Sequence, residues 1–324
     1  MRVFLISFFC AILLVSCKSE SQTRTIKLAH SLGVSHPIHK AIEYLAEQVD
    51  KNSNGQLQLE IYPSSQLGSE RQCLELLQIG SLGMTKVSAA VMENFSPQLK
   101  VFGYPYLFKS DELRFKVYDG EIGQKLLVDA EKYWLRGLTY FDAGNRSFYT
   151  KTKPISKPDD VKGMKIRVMQ SPTAIELVES FGGAPTPISW GELYTALSQG
   201  VVDGAENNLP SFYSSKHYEV CKYFSVNEHS SVPDILVIST LIWNDLNETE
   251  RKWLMDAVRD ATVFQRKLWK EAEEESLAEI IKAGVKVNYP IKENFEIKAN
   301  AMVDALKEKD EELYKLITEI KKVR

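Results

Sequence analysis

Thr25-Ile26-Lys27-Leu28-Ala29 is a short strand-like run, and the four segments behind it alternate between helical and strand period. Residues 37–50 carry Ala41, Leu45 and Val49 on one helical face, and Leu57-Gln58-Leu59-Glu60-Ile61-Tyr62 alternates apolar with polar. Residues 70–79 return to the helical period, and Met84-Thr85-Lys86-Val87 is strand-like again. This β-α-β-α-β order predicts the α/β class, with a mostly parallel sheet covered by helices on both faces. A ligand then belongs at the carboxyl ends of the strands.

A second unit of the same kind follows. It has strands at 138–141, 147–151, 165–168, 184–187 and 201–205, with helices at 173–181 and 191–198. At 324 residues, and about 150 per domain, two lobes with a cleft between them are expected, and strands passing from lobe to lobe would form the hinge. From 249 to about 283 the period stays helical, with Trp253, Ala257, Ala261, Phe264 and Leu268 on one stripe and Asn247 and Glu250 placed as a capping box. Nothing there sustains a heptad, so a lone coiled-coil arm is the weaker alternative. The acidic run from Glu271 to Glu275 reads as a solvated face.

The first sixteen residues carry Arg2, an apolar run from Val3 to Val15, and Ser16 before Cys17, which reads as an export signal over 1–16. The run is too short to span a membrane. Leu14-Val15-Ser16-Cys17 looks like a lipobox, so Cys17 is the expected lipidated residue, followed by a polar tether to residue 24; an ordinary signal with a chance cysteine is the alternative. Loss of 1–16 removes one arginine and moves the formal charge from −3 to −4, which argues against a nucleic-acid partner. Cys73 and Cys221 remain, and two buried thiols are expected over one disulfide. The sequence holds no G-x-S-x-G elbow, P-loop, G-x-G-x-x-G or H-E-x-x-H. His36 and His39 are spaced i,i+3 but imply no third ligand, so no metal site is expected. No cofactor is expected either.

Arg167 stands in Met164-Lys165-Ile166-Arg167-Val168-Met169, a permanent cation between apolar neighbours. A guanidinium is shaped to hold a carboxylate through two parallel hydrogen bonds, although a strand arginine is often only an ion-pair residue. Around it lie Gly144-Asn145-Arg146-Ser147-Phe148-Tyr149, Pro185-Thr186-Pro187-Ile188-Ser189-Trp190-Gly191-Glu192-Leu193-Tyr194 and Gln199-Gly200-Val201-Val202-Asp203-Gly204-Ala205-Glu206-Asn207. In this order and spacing they resemble the extracytoplasmic solute receptors of the tripartite ATP-independent periplasmic (TRAP) transporters, from about Thr25 to about Ala301.

The resemblance implies a non-enzymatic, two-lobed periplasmic-binding-protein-like fold with a central cleft and a long spine helix. Residues 25–141 would form mainly lobe 1, 142–240 mainly lobe 2 with the crossover strands, and 241–324 the spine and C-terminal helices bracing both. It assigns Arg167 to a carboxylate, assisted by Arg146 and Asn207, for which a structural ion pair and a turn-capping amide are the alternatives. Trp190 would pack on the ligand's carbon skeleton, unless it is a core residue. Met169 would line the same wall, and Glu70 would accept hydroxyl protons, although its place in a first helical turn explains it too. His36, Asn208, Ser88 and Lys86 complete the ligand-binding set, with Ser31 and His229 as weaker candidates. The stretch Glu206-Asn207-Asn208-Leu209-Pro210-Ser211-Phe212-Tyr213 looks like the hexuronate branch, so glucuronate or galacturonate is the expected ligand and a membrane permease the expected partner. Another polyhydroxy or keto acid, or service to a signalling partner, is the alternative.

Overall fold

The computed structural model describes residues 23–323, so the expected signal, Cys17 and nearly all of the tether lie outside the described residues. One sheet contains β1 (Arg24–Ala29), β2 (Leu57–Tyr62), β3 (Met84–Ser88), β4 (Leu135–Phe141) and, from far along the chain, β10 (Asp234–Ser239), in the order β2-β1-β3-β10-β4. The helices α1 (Pro37–Ser53) and α2 (Glu70–Gln78) make the crossovers that keep β1, β2 and β3 parallel. Helix α1 forms because Ile38, Ala41, Ile42, Leu45 and Val49 fall on one buried face, Pro37 opens it, and Asn54 ends it in the left-handed conformation. Ser69 and Gln72 close a capping box at the start of α2.

The chain continues through α3 (Ala89–Met92), α4 (Asp111–Asp119) and α5 (Glu121–Asp129), then enters a second sheet. That sheet holds β5 (Arg146–Thr150), β6 (Lys165–Val168), β7 (Ala184–Pro187), β8 (Gly204–Asn207), β9 (Tyr223–Ser230) and β11 (Lys286–Asn288), ordered β11-β9-β5-β8-β6-β7. Its helices are α6 (Pro172–Ser180), α7 (Trp190–Ser198) and α8 (Leu209–Ser214). The last of the expected strands begins at Gly204 instead of 201. Its register is set by Gly204 lying opposite Thr150, where a side chain would sit 2.3 Å from the Tyr149 carbonyl.

Both sheets are mostly parallel, as expected, with one reversed strand in each: β10 against the other four of the first sheet and β5 against the other five of the second. The chain changes sheet after β4, through 142–145, and again after β9, through 231–233. Each passage inserts a strand running against its neighbours: β10 is antiparallel to β3 and β4, and β5 to β8 and β9. Gly144 sits in the first passage at φ +57°, where a Cβ would lie 2.3 Å from Glu273 Oε1. Only glycine fits there.

After α9 (Thr240–Asp245), α10 (Glu248–Lys282) runs as one helix of 35 residues from a capping box at Asn247 and Glu250. It packs on α1 and β4 of the first lobe and on α8 of the second. Its buried stripe is Leu254, Ala257, Val258, Ala261, Thr262, Gln265 and Trp269, rotated from the expected one. The sheet edge takes the Leu254 side, while Phe264 is left half-buried, stacked on Tyr44 of α1 at 4.4 Å. Gln265 ties the spine to the first passage, its Oε1 accepting from the Asp142 amide and its Nε2 donating to the Asp142 carbonyl, both at 2.8 Å. The C-terminal helices α11 (Lys292–Asp304), α12 (Leu306–Lys309) and α13 (Glu311–Ile320) cross back, α11 against α6 and α13 against residues 97–103. Cys73 and Cys221 are free and buried; burial pushes their thiols up to about 11 and about 12. Among the described residues, no helix is long and apolar enough to cross a membrane.

Candidate functional site: a cleft between the two sheets

Nine of the ten expected ligand-binding residues line one cavity between the sheets. The second lobe contributes Arg146 from the start of β5, Arg167 and Met169 from β6 and its end, Asn207 from the end of β8, Asn208 from the cap of α8, and Trp190 from the start of α7. The first lobe contributes Lys86 and Ser88 from β3 and Glu70 from the first turn of α2. Ser31 lines the cavity as well. His36 does not: its Nδ1 caps α1 and its Nε2 meets Ser211 Oγ at 3.1 Å, so only Ser211 reaches the cavity. His229 lies wholly buried behind Glu206, packed on Phe148, and is not part of the lining.

Arg167 is 2 % exposed, and its Nε donates to the Ile188 carbonyl at 2.9 Å. Its Nη1 is buried without a partner. Burial is the largest influence on the guanidinium and holds it below its ordinary value. The groups beside it are neutral: the Trp190 ring lies 5.9 Å from Cζ, and His217, held down to about 3 by burial and then by Arg167, bonds to the Tyr149 hydroxyl. Among the described residues no carboxylate lies within bonding distance of this cation, a costly arrangement in a low-dielectric interior.

Arg146 is arranged differently. Its Nε donates to Glu206 Oε2 at 2.5 Å, its Nη2 to Glu206 Oε1 at 2.9 Å and to the Glu206 carbonyl at 2.8 Å, and its Nη1 to Asn207 Oδ1 at 2.8 Å. Burial alone would raise the Glu206 carboxyl, but the charge and hydrogen bonds of Arg146, with the His229 ring 3.5 Å away, outweigh it and hold it at about 2. The structural ion pair is therefore present. The pair also orients Asn207: its Oδ1 accepts from Arg146 and from the Asn208 amide, which leaves Nδ2 as the donor. The turn-capping amide is Asn208, whose Oδ1 accepts from the Ser211 amide at the start of α8.

At the first-lobe end, Lys86 Nζ lies between two acids, 2.9 Å from Glu70 Oε1 and 3.1 Å from Asp234 Oδ1. Glu70 also accepts from the Ser88 amide and the Ser31 hydroxyl. Burial raises the Asp234 carboxyl, against the pull of Lys86. Asp234, Ser211 and Gln170 line the cavity, and Glu206 supports it, without having been singled out from sequence. The run Asp234-Ile235-Leu236-Val237-Ile238 carries a strand signal, yet nothing local says that its first residue returns to the other lobe.

The profile of the bacterial extracellular solute-binding proteins, family 7, matches residues 28–310. A solute-binding protein of Chromohalobacter salexigens is 35% identical over 287 residues, 88% of this chain and 85% of that protein. Among solved structures, a TRAP periplasmic solute-binding protein of a Bradyrhizobium species, in complex with galacturonate, superposes with a TM-score of 0.89 at 35% identity over 92% of this chain and 99% of that one. Another, from Anaerococcus prevotii with bound D-glucuronate, gives a TM-score of 0.90 at 34% identity over 93% and 98%. Sequence pattern, two-lobed architecture and central cleft agree, and the chain belongs to the family 7 extracellular solute-binding proteins, the solute receptors of TRAP transporters.

Proposed function

We propose that this chain captures a sugar acid bearing one carboxylate, of the glucuronate or galacturonate kind, by closing the first lobe (mainly 25–141, with 234–239) and the second lobe (mainly 146–230) around it, and delivers it to a membrane permease. The observation that carries this reading is the buried Arg167 with its free Nη1. A carboxylate there would supply the missing counter-charge in bidentate geometry, and the Trp190 face would cover the C–H side of a sugar ring. Arg146 supports the site by fixing Asn207, whose Nδ2 faces ligand. Glu70 and Asp234, at the far end, accept hydrogen bonds from ligand hydroxyls, and Ser31 and Ser88 add hydroxyl oxygens there. Met169 closes the wall, and Lys86 holds the two acids in place. A charge-assisted bond contributes roughly 1.5–3 kcal/mol, so the clamp and a few hydroxyl bonds are enough for micromolar or tighter binding. The solved galacturonate and glucuronate complexes of similar proteins support the same ligand class.

In calorimetric titration, glucuronate or galacturonate is expected to bind at least tenfold more tightly than succinate, a gap of about 1.4 kcal/mol. Succinate or a keto acid binding best, with both uronates silent, would overturn the ligand and leave the receptor standing.

The lipobox-like run at 14–17 supports a mature receptor held at a bacterial membrane surface through an acylated Cys17. Protein expressed in its host should partition with membranes and carry acyl mass on Cys17, and Cys17→Ser should lose both. Wild-type protein with an unmodified Cys17 would remove the anchor.

A further inference from the structure

The two ends of the cleft carry opposite charge imbalance. At one end Arg167 has no acid of its own, and Arg146 is matched one to one by Glu206. At the other end one ammonium, Lys86, serves two carboxylates, Glu70 and Asp234, with side chains 13 % and 12 % exposed. Arg146, Arg167 and Lys86 are set against Glu206, Glu70 and Asp234, while Arg71 at the rim is half exposed and paired with Glu75, so the buried charges set a field along the cleft. Asp234 is placed there by the second passage between the lobes: it is the first residue of β10, opposite Ser88, which puts its side chain on the same sheet face as Lys86.

We infer that Asp234, with Glu70, is the charge-selecting element of the site: the doubly acidic triad on Lys86 admits hydroxyls and rejects a second carboxylate, making the receptor specific for monoacids. This rests on the sugar-acid reading above. A hydroxyl donates into the spare lone pairs of Glu70 and Asp234. A carboxylate brings only acceptors and a third negative charge to the one ammonium bonded to both acids, and Arg146, the buried cation whose charge also reaches Asp234, is already paired with Glu206. The selectivity thus lies in an element repulsive to the wrong ligand as much as in one attractive to the right ligand.

The test compares matched acids that differ at one end of the same skeleton: galacturonate with galactarate, gluconate with glucarate, and 4-hydroxybutyrate with succinate. Titration into the wild type, Asp234→Asn and Glu70→Gln gives the ratio of diacid to monoacid affinity for each pair. The wild type is expected to favour the monoacid at least tenfold, and each near-isosteric variant to raise the diacid ratio at least tenfold. Because the readout is a ratio, a general loss of affinity in a variant does not imitate the result, and thermal unfolding checks that each variant folds. A wild type that prefers the diacid, or ratios unchanged within threefold in both folded variants, overturns the triad as selector. Silence of both uronates alone overturns the sugar-acid reading, and the triad is then judged on whichever pair binds.

Discussion

Arg167→Ala is expected to weaken binding of a carboxylate ligand by roughly 2–5 kcal/mol, about thirtyfold to several thousandfold, because the ligand's charge would be enclosed in the closed cleft without its partner. Arg167 is held in place by the Ile188 carbonyl on one side and the Trp190 face on the other. The guanidinium is thus held before a ligand arrives, and little side-chain freedom remains to be lost on binding. Arg167→Lys should fail as well, since an ammonium is a point donor on a flexible stem and cannot reproduce the planar fork. The unliganded protein should respond in the opposite direction. Removing a buried cation that has no acid beside it relieves desolvation, so Arg167→Ala should unfold no more easily than the wild type, apart from the cavity it leaves. Calorimetry that finds near-native affinity for both variants would remove Arg167 from the site.

Breaking the neighbouring pair should do the reverse, damaging the fold first. Glu206→Gln leaves Arg146 fully buried beside a neutral amide, and the expected loss of stability is about 3–5 kcal/mol. The loss should depend on pH in a defined sense. The Glu206 carboxyl is held at about 2 in the folded protein, against about 4.3 for an unfolded chain. A folded value below the unfolded one means that the ionised form stabilises the native state above about pH 4.3, and that this contribution fades as pH falls toward 2. The stability gap between wild type and Glu206→Gln should therefore be widest near neutrality and narrow across that window. Urea unfolding at a series of pH values reads it directly; a gap that does not change with pH would mean that Glu206 is not ionised in the folded protein.

The two arginines show why part of the site was legible in the sequence and part was not. Both stand near strand ends in motifs with the same local character, so residue type and spacing nominate both as ligand cations. Only the pairing of β5 with β8 sets Glu206 opposite Phe148, where its carboxylate reaches Arg146. His36 was nominated by its helix-start position, yet the packing of α8 turns its ring toward Ser211. The stripe on α10 was nominated by period, yet the helix touches α1, α8 and β4 at once, and the buried stripe is rotated to one that shares only Ala257 and Ala261 with the nominated residues.

What the sequence determined by itself is what local physics governs: the alternation of strand and helix periods, the caps at Asn247 and Ser69, the breaks at glycine, and the guanidinium on β6. These depend on residues within a few positions of one another. What only the tertiary structure decided is which lobe each strand joins. The strand starting at Asp234 follows the second lobe in sequence but completes the first lobe's sheet between β3 and β4. That one return makes the sheet mixed, puts Asp234 beside Lys86, and gives the cleft its oppositely unbalanced ends. Strand pairing across 148 residues leaves no local trace, because it is fixed by which apolar faces can be buried together and not by the residues flanking either strand.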